Sequence, residues 1–238
     1  METGSNVAAS PITFRPGVGS SYGNGWRQLW RYFPFLLLIG IIYVVISNAI
    51  TVVQWIAQLS SEIGDISAGL TGLILSIISI AFGLLIINPI GYGQNYAYLK
   101  AARDDKVDIQ DIFAAFQNYW NAVAASLLVA IIVGIGFILL IVPGIIFACK
   151  LAFVPYLVVD RKLSVMKAID TSWNMTNGQS WRVFLIYLLG IPIVIAGLIC
   201  LVVGVIISIM WINAALASLY HAVSTSSAAA VEQPSPIK

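Results

Sequence analysis

Between Val183 and Tyr220 no Asp, Glu, Lys or Arg interrupts the chain. A helix crosses about 30 Å of hydrocarbon with about 20 mainly apolar residues, and this stretch is about twice that length. It therefore predicts two spans, 183–199 and 204–220, turning near Cys200 at the glycines Gly197 and Gly204. The same criterion finds a span at 33–55, opened by Pro34, which suits a first helical turn, and closed by Trp55, which suits an interface. Others follow at 67–91, with Pro89 allowing a bend, and at 121–141 and 145–159, with Pro143 and Gly144 as the turn between them. The expected fold is all-α: a polytopic membrane protein of six transmembrane helices.

Composition agrees. Sixty per cent of the 238 residues are hydrophobic and 9% are charged, whereas a soluble domain carries about 25% charged residues. Twelve basic and 10 acidic residues cannot make a polar shell around a fold of this size. Hydrocarbon must take the place of that shell. The net charge of +2 is too mild to argue for nucleic acid.

The placing of the charges predicts sidedness, because cytoplasmic loops carry the excess of Lys and Arg. Arg15, Arg27 and Arg31 precede the first span; Lys100, Arg103 and Lys106 follow the second; Arg161, Lys162, Lys167 and Arg182 follow the fourth. The opposite side offers only Glu62 and Asp65. Both termini are thus expected in the cytoplasm. Residues 1–20 and 223–238 read as disordered on composition, leaving a membrane domain over 21–222. The polar, Gly/Ser/Pro-containing start does not read as a secretory signal.

An aromatic and amide-rich segment leads into each pair of spans: GWRQLWRYF, DIFAAFQNYWN and SWNMTNGQSWR. The second helix of each pair returns to a tyrosine, Tyr96, Tyr156 or Tyr220. This reads as three hairpins with interfacial amphipathic lead-in helices, laying Trp and Tyr at headgroup level. Any three-hairpin membrane protein with aromatic belts would show a similar pattern.

Lys150 stands inside an apolar run, about 9 Å along the helix from Gly144 and about 15 Å from Asp160. That spacing puts it in the outer half of the membrane. A charge at a helix centre costs about 2.5–3.5 kcal/mol on insertion scales, so something must offset it. Snorkelling towards the outer face, contact with a lipid phosphate or anionic substrate, and pairing with an acid all remain open. Asn48, Ser76, Ser79, Asn88 and Asn213 read as interhelical hydrogen-bonding groups.

Asp104, Asp105 and Asp108 form a DDxxD spacing, which can hold magnesium on a diphosphate when a second acidic cluster faces it. No second cluster exists, and Asp108 and Asp111 suit the cap and first turn of the helix containing IFAAF. His221, the sole histidine, is expected as a favourable charge at a helix C-terminus. Cys149 and Cys200 read as packing residues, and the glycines of GYG (91–93) and GIG (134–136) as helix-packing or bending positions. No nucleophile, metal or phosphate-loop motif is present, and no catalytic group, metal or cofactor is expected.

Pro143, Gly144, Lys150, Pro155, Tyr156, Asp160, Ala168, Ser172 and Gly178, with the earlier GWRQLW and DIFAAF segments, give the chain a resemblance over about residues 20–222. It resembles the YciC-like bacterial inner-membrane proteins and the related membrane domain attached to some glycerophosphodiester phosphodiesterases. The resemblance implies a six-span fold in a bacterial cytoplasmic membrane and no settled activity. The hydrolase domain of some relatives has no counterpart in this sequence. The expected function is a non-enzymatic structural or lipid-associated membrane component, or a subunit of a membrane complex, with another membrane protein or a second copy as possible partner. Candidate contacts to anionic headgroups are Lys150, Arg27, Arg31, Trp26, Trp30, Trp181 and Arg182. The rival readings are a permease component with Lys150, Asn88 and Pro89 lining a pathway, and a lipid-modifying enzyme using the three aspartates.

Overall fold

The computed structural model describes residues 17–61, 67–199 and 201–232. Among them there is no strand. The helices are α1 (Val18–Arg31), α2 (Phe33–Ser61), α3 (Ser67–Phe82), α4 (Asn88–Ala102), α5 (Tyr119–Leu139), α6 (Ile141–Leu151), α7 (Val154–Asp160), α8 (Val165–Thr176), α9 (Ser180–Ile199) and α10 (Leu201–Glu232). A π-helical segment, Gly83–Ile87, joins α3 to α4, and a 3-10 helix, Ile109–Asn118, leads into α5. Five helical stretches are long and apolar enough to cross a membrane: Thr71–Ala102, Ile109–Leu139, Ile141–Asp160, Ser180–Ile199 and Gly204–Ser226. The bent pair α1–α2, with 92° between its arms, makes six if it counts as one span.

Burial is inverted relative to a soluble fold. On α5 the buried residues are Ala122, Val123, Ala125, Ser126 and Gly136, while Ile131, Ile135 and Ile138 face outward. On α10 the buried set includes Ser208, Ala214, Ala215, Ala217 and Ser218. Small residues let helix backbones approach closely, and large apolar ones meet lipid at no cost. The architecture is that of a membrane-embedded helical protein.

Helix α10 is central and packs on α1, α9 and α4. Helix α5 packs on α6, and α3 chiefly on α2. The tightest approach pairs α4 with the 3-10 helix, where the position of a Cβ on Gly93 lies 1.9 Å from the carbonyl oxygen of Ile112. Gly136 sits against Gly144 in the α5–α6 contact, so these glycines do pack helices.

Several boundaries differ from the sequence reading. The turn between α5 and α6 is Leu140, in extended conformation (φ −168°, ψ 156°), and Pro143 and Gly144 lie inside α6. Pro143 there occupies a first-turn position, whose N–H has no intrahelical partner in any case. Helix α10 runs on to Glu232, through part of the tail expected to be disordered, so His221 is mid-helix and has no C-terminal dipole to complement. Val18–Arg31 is likewise helical from within the segment expected to be disordered. Glu62, Asp65, Arg15 and Cys200 lie outside the described residues.

Proline breaks are repaired by hydroxyl groups. Pro89 has no N–H to offer the carbonyl of Leu85 four residues back, and the hydroxyl of Tyr119 donates to that oxygen instead (3.0 Å). The break between α6 and α7, just before Pro155, leaves the Lys150 carbonyl at the end of α6. There the hydroxyls of Ser172 (2.8 Å) and Thr176 (3.2 Å), both buried on α8, donate to the carbonyl of Lys150. In hydrocarbon such side chains supply the donor that a proline or a helix end leaves out. Replacing Ser172 with Ala and Thr176 with Val together leaves that carbonyl unsatisfied and is expected to cost about 2 kcal/mol. Thermal unfolding in detergent measures it; an unchanged melting temperature would show that α8 does not cap the break.

Candidate functional site

The three ion pairs of the described residues cluster around the C-terminal end of α4. Arg103, just past α4, makes a two-pronged pair with Asp160, the last residue of α7, at 2.6 and 2.7 Å. Tyr220 of α10 donates to the same carboxylate at 3.4 Å. The Asp160 side chain is 12% exposed and that of Arg103 27%. The hydrogen bond from Arg103 to Asp160 raises the guanidinium above its ordinary range, outweighing the burial that lowers it. Three helices far apart in sequence are thereby tied at one point.

Beneath this pair lie the buried aromatic side chains Tyr98, Tyr156, Tyr220 and Phe153. Tyr156 stacks on Tyr220 with ring centroids 4.9 Å apart, and Phe153 meets Tyr220 edge-on at 5.4 Å. Tyr98, not Tyr96, is the fully buried member from α4, since Tyr96 lies on a half-buried face. Two residues along a helix turn a side chain to the other side, and the repeating pattern of terminal tyrosines could not choose between them.

Two further pairs flank this centre. Lys100 bonds both oxygens of Asp111 (2.9 and 3.0 Å), and Asp111 also accepts from the backbone N–H of Asp108. Asp108 in turn accepts from Gln110 N–H, so the two aspartates cap the 3-10 helix as the sequence predicts, although the segment is 3-10 and not α. Arg31 pairs with Asp104 at 2.7 Å, and the Tyr32 hydroxyl donates to the same carboxylate at 3.2 Å. Asp104 is thus engaged in joining α1 to the end of α4, and Asp105 is exposed. Among the described residues no three His, Cys, Asp or Glu side chains come together in a way that could hold a metal ion.

Lys150 has partners that its own stretch of sequence does not indicate. Its ammonium bonds the side-chain oxygen of Asn177 and lies 5.0 Å from the ring centre of Trp173. It therefore lies beside the α8–α9 turn, from which Arg182 follows five positions beyond Asn177. The cause is α8, which folds back along α6 and α7 and brings its C-terminal end to Lys150. Asn88 bonds Ser126 (3.3 Å), so Lys150 and Asn88 take separate partners.

The other candidate contacts are brought together in part. Trp26 is 40% and Trp30 52% exposed, and they meet each other edge-on at 5.6 Å. Trp26 also rests on Trp211 of α10 (4.8 Å), and Trp30 stacks on Phe33. Arg27 is exposed. Trp181, 66% exposed, stacks on Phe184, and Arg182 bonds Gln179. The bonds from Tyr22 to the Ile186 carbonyl (2.7 Å) and from Trp211 to the Tyr22 carbonyl (3.0 Å) fix α1 against α9 and α10. Comparison with protein-family models, curated proteins and solved structures gives no match to this chain.

The ties Arg103–Asp160 and Lys100–Asp111 were missed as pairs. The available signal was Asp160 itself, an acid closing the apolar run of α6 and α7, because such a group needs a cation near it.

Proposed function

We propose that the chain is a non-enzymatic structural component of a bacterial cytoplasmic membrane, of the YciC-like kind. In this reading six spans in three hairpins are held at the cytoplasmic face by the ionic centre and rest there against anionic lipid headgroups. One observation carries it. Arg27, Lys106, Arg161, Lys162 and Lys167 are all exposed, with no ion pair among the described residues, and the tryptophans Trp26, Trp30, Trp120 and Trp181 are exposed as well. Tryptophan prefers the headgroup level, and each basic residue near an anionic surface contributes about 1 kcal/mol.

The amphipathic α1 and 3-10 helix support the arrangement. Phe113 and Phe116 point outward from the 3-10 helix, while Ile112 and Ala115 are buried. Each lead-in segment thus offers aromatic side chains outward while anchoring to the bundle by its other face.

The test is lipid enrichment. The full chain in bilayer discs containing equal phosphatidylglycerol and phosphatidylcholine is expected to gather phosphatidylglycerol around it. Changing Arg161, Lys162 and Lys167 to Gln should weaken that preference roughly fivefold per charge at low salt. Equal lipid composition around both proteins, or no preference in the unaltered chain, would overturn the reading.

A further inference from the structure

We infer that the α8–α9 turn is a binding site for the phosphate of a single anionic phospholipid, a deepening that rests on the headgroup reading above. Two cations each bond an amide of this short turn. Lys150 bonds the side-chain oxygen of Asn177, and Arg182 bonds that of Gln179. The two amides stand two residues apart across Gly178, whose φ of +75° provides the tight reversal. Neither cation is paired with a carboxylate among the described residues.

The chemistry of the amides is what makes this a receptor and not merely a basic patch. Each amide spends its oxygen on a cation, and its NH2 group has no partner among the described residues. Two amide NH2 groups without an acceptor among the described residues therefore stand beside an ammonium and a guanidinium that carry no compensating carboxylate. A phosphate diester supplies the acceptor oxygens and the single negative charge they lack.

The setting selects a lipid over a soluble anion. Trp173, 37% exposed, lies against the Lys150 ammonium, and Trp181, 66% exposed, adjoins Arg182. Leu188, Leu189 and Ile191, farther along α9, are also exposed. Polar donors flanked by interfacial tryptophans and continuous with an apolar surface fit a headgroup whose acyl chains run along α9.

The full chain in mild detergent, mixed with equimolar phosphatidylglycerol and phosphatidylcholine, is expected to retain one phosphatidylglycerol per chain by native mass spectrometry. The Lys150→Met, Arg182→Gln double variant should hold it roughly thirtyfold more weakly. Asn177→Asp, which sets a carboxylate beside Lys150, should also release the lipid, while Lys150→Arg should keep it. Melting temperatures without added lipid identify any variant that fails to fold, and Asn177→Asp keeps the test open if the double variant does. Retention unchanged in Asn177→Asp, equal retention of phosphatidylcholine, or displacement by millimolar inorganic phosphate would each overturn the site. The Arg161, Lys162 and Lys167 triple variant separates the two readings, since it should lose the surrounding enrichment and keep the one retained lipid. Enrichment without a retained lipid sinks this inference alone.

Discussion

Gly93→Ala is expected to lower stability by about 3 kcal/mol, at the upper end of what overpacking usually costs. The added carbon would stand 1.9 Å from the carbonyl oxygen of Ile112 and 2.5 Å from its carbon, both backbone atoms. A flexible side chain could swing away, but here the whole 3-10 helix must move. Moving it strains the Lys100–Asp111 pair and the hydrogen bond from the Asn118 side chain to the Val158 carbonyl (3.2 Å). The matched control is Gly134→Ala on α5, where an added carbon meets nothing within 4 Å. Thermal unfolding in one detergent should separate the two variants widely. Equal melting temperatures would mean that α4 and the 3-10 helix do not touch as closely as described.

The helical class and most spans were legible because a bilayer imposes a length and a polarity that show in one dimension. Observed α9, Ser180–Ile199, lies within three residues of the expected 183–199. The turn at Leu140 was not legible. Proline and glycine mark turns in water, yet Pro143 is equally at home in the first turn of a helix, and Gly144 is needed for its contact with Gly136 and Phe137. Residue type alone does not distinguish those uses.

The ionic centre was half legible. Arg103 and Asp160 each stood out, but their pairing depends on α4 and α7 meeting, which local periodicity does not report. The partners of Lys150 were not legible for a related reason. Its own helix says nothing of α8, an amphipathic segment too polar to read as a span, whose return path supplies both the hydroxyls for the Lys150 carbonyl and the amide for its ammonium. By contrast the capping aspartates, Asp108 and Asp111, were readable because a cap acts over three residues.

Asp160→Asn is expected to cost about 3 kcal/mol, because it leaves the Arg103 guanidinium partly buried without its carboxylate. The comparison that makes this specific is Asp104→Asn. It breaks the pair with Arg31, whose side chains are 62% and 46% exposed, and should cost under about 1 kcal/mol because solvent already screens those charges. If both changes cost the same, burial is not what gives the Arg103 pair its weight. A third variant, Arg103→Met with Asp160→Leu, removes both charges and the need to keep either dehydrated. It should recover most of the stability lost in Asp160→Asn, since replacing a buried pair by apolar side chains of similar size is often neutral. Tyr220 would lose only a long hydrogen bond and keep its stacking on Tyr156. Recovery would mean that the pair stabilises the bundle little in net terms and instead favours arrangements in which α4 meets α7, since those satisfy both charges together. Failure of the double variant to recover would assign the stabilisation to the ion pair itself.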